Sequence, residues 1–151
     1  YAEGNIVLGE EKGNFGQSIT PNKIISELER ARKDKNVKGI VLRINSPGGS
    51  ALASNIINRK IKEVGKEKPV YVSIGGVAAS GGYYIAVAGD KIYAEKESLT
   101  GSIGVVSLIP NFKELLGKID VNVEVVKKGE YSDLFSLSKE FTEKDEEKIY
   151  A

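Results

Sequence analysis

Val70-Tyr-Val-Ser-Ile-Gly-Gly-Val-Ala-Ala-Ser-Gly-Gly-Tyr-Tyr84 is the stretch on which the reading of the fold turns. Its first five residues are β-branched or aromatic at every position but Ser73, the composition of a strand. The apolar run Tyr83–Ala88 that follows is expected to be helical. Between them, in Gly75–Tyr84, the one serine, Ser80, stands among glycines and alanines. Small neighbours let another backbone come close, and a helix start places N–H groups beside the hydroxyl. That is the setting of a serine nucleophile.

The same pattern stands one unit upstream. Lys38–Asn45 is a nearly continuous apolar strand, of the kind a parallel sheet buries on both faces. Ser46-Pro47-Gly48-Gly49 ends it, and Ser50–Lys62 reads as an amphipathic helix with Leu52, Ile56, Ile57 and Ile61 on one side. Neighbouring parallel strands bring their C-terminal ends together, where α/β folds bind ligands. The two glycine turns should therefore meet. Gly49 and Gly81 are then the natural N–H donors to an oxyanion formed when Ser80 attacks a carbonyl.

Outward from these units, Asn5–Leu8 is a short strand and Gly9–Gly16 a glycine-spaced loop. Thr20-Pro21 opens a helix with Ile24, Ile25, Leu28 and Ala31 at helical spacing. Downstream, the strand from Val70 is expected to end at Ile74, and Lys91–Ala94 forms another. Leu99–Val106 is a second glycine-punctuated segment, Asn111–Lys118 a short helix and Val121–Val126 an alternating strand. Gly129–Ser138 is a loop, and Thr142–Asp145 a capping box before a last helix. Alternation of strand and helix at these spacings means α/β with a mainly parallel sheet.

The chain has 151 residues, and one domain spanning 1–151 is the simplest organisation. A net charge of +1 with Lys and Glu interspersed offers no basic face for nucleic acid. Absence of Cys excludes disulfides and thiolate chemistry, and absence of His removes the usual general base and metal ligand. A Ser-His-Asp triad is impossible here. Serine chemistry would need another base, for which lysine is the recognised alternative. No apolar run approaches the roughly 18–20 residues that cross a bilayer. The chain lacks Met and starts at Tyr1, and it reads as a piece of a longer protein.

Asn45-Ser-Pro-Gly-Gly49, Ala78-Ala-Ser-Gly-Gly-Tyr-Tyr84 and Leu99-Thr-Gly-Ser-Ile-Gly104 together resemble signal peptide peptidase A, a family of serine peptidases in the Clp-protease/crotonase superfamily. The resemblance implies repeated ββα units and a Ser-Lys dyad. It matches Ser80 to the nucleophile, Gly49 and Gly81 to the oxyanion donors, and Ser102 to a hydroxyl that supports the lysine. Pro47, Gly48, Gly75 and Gly76 fall at substrate-binding positions, and neither a cofactor nor a metal is implied. It further implies extended peptide substrates such as signal-peptide remnants and a homo-oligomer whose dyad is shared between protomers. A membrane anchor outside this segment, with the catalytic domain extracytoplasmic, is implied as well.

The family lysine lies in a Gly-x-x-Lys-Asp setting, and this chain reads Gly129-Glu-Tyr-Ser132-Asp133 there. Ser132 holds the position of the general base. A hydroxyl has no nitrogen of suitable basicity, so the expectation is an inactive form, engineered or natural. Two other readings stay open: a non-catalytic peptide-binding protein, and a crotonase-like acyl-CoA enzyme that would hold an enolate on the same N–H pair.

Overall fold

The computed structural model describes residues 1–9 and 17–150; the expected loop Gly9–Gly16 lies, beyond Gly9, outside them. The chain divides into two compact units, Tyr1–Val105 and Val106–Ala151.

The first unit runs β1 (Ala2–Glu3), β2 (Asn5–Ile6), β3 (Ser18–Ile19), α1 (Pro21–Lys33), β4 (Ile40–Ser46), α2 (Ala51–Gly65), β5 (Val70–Ala79), α3 (Gly81–Ala86), β6 (Lys91–Tyr93) and β7 (Leu99–Gly101). The main sheet has the order β1-β4-β5-β6, with β7 beside the far end of β5, and β2 pairs with β3. Every strand pairing among the described residues is parallel. This is the expected α/β architecture.

Local chemistry sets the helix starts. The Thr20 side chain accepts the Lys23 N–H at 3.4 Å with Pro21 at the first turn, and Ser50 Oγ accepts the Ala53 N–H at 3.2 Å. The buried stripe of α2 is Ala53, Ser54, Ile57, Asn58, Ile61 and Val64. Leu52, expected inside, is 56% exposed. The helix turns the small Ser54 toward Gly81, where a leucine would not fit.

Two further expectations are corrected. Leu42, Ile44, Val72 and Ile74 are buried, whereas Val41 is 69% exposed and Arg43 also faces solvent. The helices gather on one side of the sheet, so β4 alternates instead of being buried on both faces. Across the open face Tyr71 and Tyr93 meet edge to face at 6.5 Å between ring centres. Secondly, β5 does not stop at Ile74. Pairing of Val77, Ala78 and Ala79 with Leu99, Thr100 and Gly101 keeps it extended to the residue before Ser80.

An ion cluster ties α1 to α2. Glu29 pairs with Arg32 at 2.7 Å and with Lys60, and Arg32 reaches Glu67 at 2.8 Å. Arg32, then Lys60, lowers the Glu29 carboxyl from an ordinary 4.5 to about 2. A carboxyl lowered on folding adds stability above its unfolded value and loses it as pH falls through the folded one. Thermal melts of the parent should therefore fall more steeply between pH 4.5 and about 2 than those of Glu29→Gln. Parallel melting curves for the two over that window would remove the cluster's role.

The second unit holds two helices among its described residues, α4 (Lys113–Lys118) and α5 (Glu143–Tyr150). The capping box forms as expected: Asp145 Oδ2 accepts the Thr142 N–H at 2.9 Å, and Thr142 Oγ1 accepts the Asp145 N–H at 3.3 Å. The expected strand Val121–Val126 does not form, and all six residues are exposed. Alternating valines favour extension, but a strand exists only with a ladder partner, and none among the described residues pairs with it.

Candidate active site

β5 ends in a corner at Ser80, which is the N-cap of α3 with φ 49° and ψ −120°. Left-handed φ is uncommon for a residue with a side chain and persists only where the surroundings enforce it. Here the Ser80 N–H donates to Gly101 O on β7 at 2.9 Å, and the Tyr84 N–H donates to Ser80 O at 2.9 Å. From α2, Asn58 Nδ2 donates to Tyr84 O at 2.6 Å, and the Tyr84 hydroxyl donates to Asn55 Oδ1 at 3.2 Å. The Ser80 hydroxyl makes no capping bond to its own helix. A serine at an N-cap ordinarily spends its hydroxyl there. This one does not.

The second glycine turn lies against the first. A Cβ on Gly48, whose φ is 108°, would sit 2.9 Å from Ala79 O, Gly81 N and Ser80 Cβ. Only glycine allows that approach. On the other side, Ile6 binds the turn through Ile6 N–H to Gly48 O and Ser50 N–H to Ile6 O, both 2.8 Å. In a parallel bridge of this kind the N–H of the middle residue, Gly49, points away from Ile6. Among the described residues neither the Gly49 nor the Gly81 N–H has a protein acceptor. Two free donors thus stand beside a free hydroxyl.

Of the remaining expected residues, Ser102 follows Gly101, is exposed, and has φ 51°. The Ser80–Gly101 bond brings its backbone next to the corner. Pro47 and Gly76 are exposed, Gly75 is half-buried, and Gly48 is buried in the turn contact. Ser132 belongs to the second unit, where its hydroxyl donates to Gly129 O at 3.1 Å. Nearby, Lys127 pairs with Asp133 at 2.9 Å, and Lys139 pairs with Asp133 at 3.2 Å and Asp145 at 3.1 Å. Lys127, first, and Lys139 hold the Asp133 carboxyl below the usual range, against the effect of burial. These lysines are spent on carboxylates.

Asn58 and Ser54 had no role in the sequence reading. Both are polar residues within the apolar stripe of α2, which is the signal that would have found them. Ser54 packs on Gly81, and its Oγ donates to Ser50 O at 2.8 Å. A cavity of about 440 Å³ is lined by Glu3, Gln17, Lys23, Glu27 and neighbours and contains none of the site residues.

Comparison with known proteins bears on the family and the fold. The model of peptidase family S49 matches residues 62–150, and that of Clp protease matches residues 2–100. The chloroplastic serine protease SPPA of Arabidopsis thaliana is 39% identical over 135 residues, 89% of this chain and 20% of that protein. Protease 4 of Haemophilus influenzae is 40% identical over 137 residues, 90% of this chain and 22% of that protein. The chain spans about a fifth of the length of these two relatives. A solved structure of 1510-N, a membrane-bound stomatin-specific protease with a serine-to-alanine mutation, aligns with TM-score 0.50. That alignment covers 70% of this chain and 48% of the other at 21% identity, a likeness of fold alone. The parallel sheet and the match over residues 2–100 make this a Clp-protease-like α/β fold. With more than half of its residues matched, the chain belongs to peptidase family S49.

Proposed function

We propose that this chain carries the nucleophile half of a serine endopeptidase with a Ser-Lys dyad, disabled by Ser132. The supporting observation is the juxtaposition of a strained Ser80 whose hydroxyl caps nothing with the free N–H groups of Gly49 and Gly81. Ser80 Oγ attacks the scissile carbonyl, and the tetrahedral oxyanion takes hydrogen bonds from the two glycine amides. A neutral lysine at position 132 would accept the serine proton and return it to the leaving amine, after which water releases the acyl group. The serine now there does neither.

The substrate in this reading is an extended, apolar peptide such as a signal-peptide remnant, held by backbone hydrogen bonds. The active form is a homo-oligomer, with Ser80 and the base contributed by different protomers, and no cofactor takes part. No helix among the described residues is long and apolar enough to cross a membrane. Attachment to a membrane, with the peptidase domain extracytoplasmic, would come through a segment outside this sequence.

The test is Ser132→Lys under conditions that allow assembly, with cleavage of an unstructured apolar peptide as readout. A positioned general base is worth about 10²–10⁴ in rate, so cleavage should rise by at least about 10² over the parent. A folded, assembled Ser132→Lys chain that cleaves nothing would overturn the proposal.

A further inference from the structure

Between the pairs Ile44↔Ile74 and Ser46↔Ala78, one residue of β4, Asn45, stands opposite three of β5: Gly75, Gly76 and Val77. The strand that delivers Ser80 therefore carries a two-residue bulge four residues before it ends. Two extra residues preserve which side faces the core, and Ile74 and Ala78 are both buried. They also bend the strand, which is how bulges re-aim a side chain beside a site. Such a bulge breaks the ladder and leaves backbone groups to be satisfied.

Two side chains do this. Asn45 Oδ1 accepts the Val77 N–H at 3.1 Å, and the Ser98 hydroxyl donates to Gly75 O at 2.7 Å. Asn45 also fills the space over Gly75, where a Cβ would meet its side chain at 3.2 Å. Ser98 is the residue before β7, and the far end of β7 supplies Gly101 O to the Ser80 N–H. The bulge is thus gripped from β4, two residues before the Pro47-Gly48-Gly49 turn, and from β7.

We infer that Asn45 and Ser98 are positioning residues that hold the β5 bulge and thereby fix the angle at which Ser80 and Gly81 leave the sheet. The inference rests on the reading of Ser80 as nucleophile for its consequence in catalysis, but its geometry can be tested without activity.

The experiment compares the parent with Asn45→Leu, with Asn45→Asp/Glu3→Gln and with Ser98→Ala by amide exchange and backbone NMR. The aspartate keeps an acceptor for Val77, and the Glu3 change removes a like charge beside it; Asn45 Nδ2 lies 3.5 Å from Glu3 Oε1. In Asn45→Leu the Val77 amide should exchange about fivefold faster, the factor represented by one net hydrogen bond. The Ser80 and Gly81 amide resonances should move, while core amides such as Ile57 stay protected. The aspartate variant should return all three to parental values. Unmoved Ser80 and Gly81 resonances in Asn45→Leu, or an aspartate variant that behaves like leucine, would overturn the inference. If Asn45→Leu does not fold, Ser98→Ala decides it by the same two resonances. Made in the Ser132→Lys chain, Asn45→Leu should lower kcat about tenfold with KM little changed. A lysine-restored parent without activity would defeat the peptidase reading, and the resonances would still judge the positioning.

Discussion

In the lysine-restored chain, Ser80→Ala is expected to reduce kcat/KM for peptide cleavage by about 10⁴-fold or more, the scale on which loss of a catalytic serine is felt. Its stability should change little. The Ser80 hydroxyl forms no cap bond to α3, and alanine keeps the same Cβ at the same φ of 49°, so neither a contact nor a strain term is altered. Ser50 provides the contrast. Its hydroxyl caps α2 through the Ala53 N–H, and Ser50→Ala should cost about 1 kcal/mol with only indirect effects on rate. Urea titration and steady-state kinetics on both variants separate the two roles. A serine that served only the fold would lower the midpoint; a nucleophile leaves it in place and removes turnover. Residual activity within tenfold of the lysine-restored parent would move the nucleophile elsewhere.

The corner at Ser80 was legible because its signals are local. Small residues on both sides of one hydroxyl, a strand before it and an apolar run after it require no knowledge of distant partners. The same holds for Thr20 and the Thr142–Asp145 box, whose partners lie three residues away. What escaped was decided by pairing across the sheet. Gly75-Gly76 read as punctuation after a strand ending at Ile74, because glycine weakens a strand taken alone. Alignment of β7 with Val77–Ala79 and the side chains of Asn45 and Ser98 carry the strand through them. Val121–Val126 failed in the opposite sense, with the right alternation and no neighbour. Leu52 was misplaced for a third reason: hydrophobicity favoured it for the inner face, while close approach to Gly81 requires the smaller Ser54 there.

Three glycine-to-alanine changes should order themselves by what the new methyl group meets, and Gly49 should be worst by a wide margin. At Gly65, in the last turn of α2, the methyl has no neighbour within 4 Å and the backbone is helical. Gly65→Ala should stabilise by about 0.4–1 kcal/mol through the unfolded chain alone. At Gly101 the methyl also finds open space, but φ is 99°, so the cost is backbone strain of about 1–3 kcal/mol. At Gly49 a φ of 145° is combined with collision against the backbone of Ile6, whose N and C atoms lie at 2.8 and 2.9 Å. Ile6 cannot yield cheaply, because its N–H and C=O hold the turn through Gly48 O and Ser50 N–H. Strain and overpacking together should cost about 3 kcal/mol or more, a large part of the stability of a domain this size. Urea titrations of the three variants give the order directly. A Gly49→Ala chain no less stable than Gly101→Ala would mean that Ile6 does not lock the turn, and the orientation argued for the Gly49 N–H would fall with it.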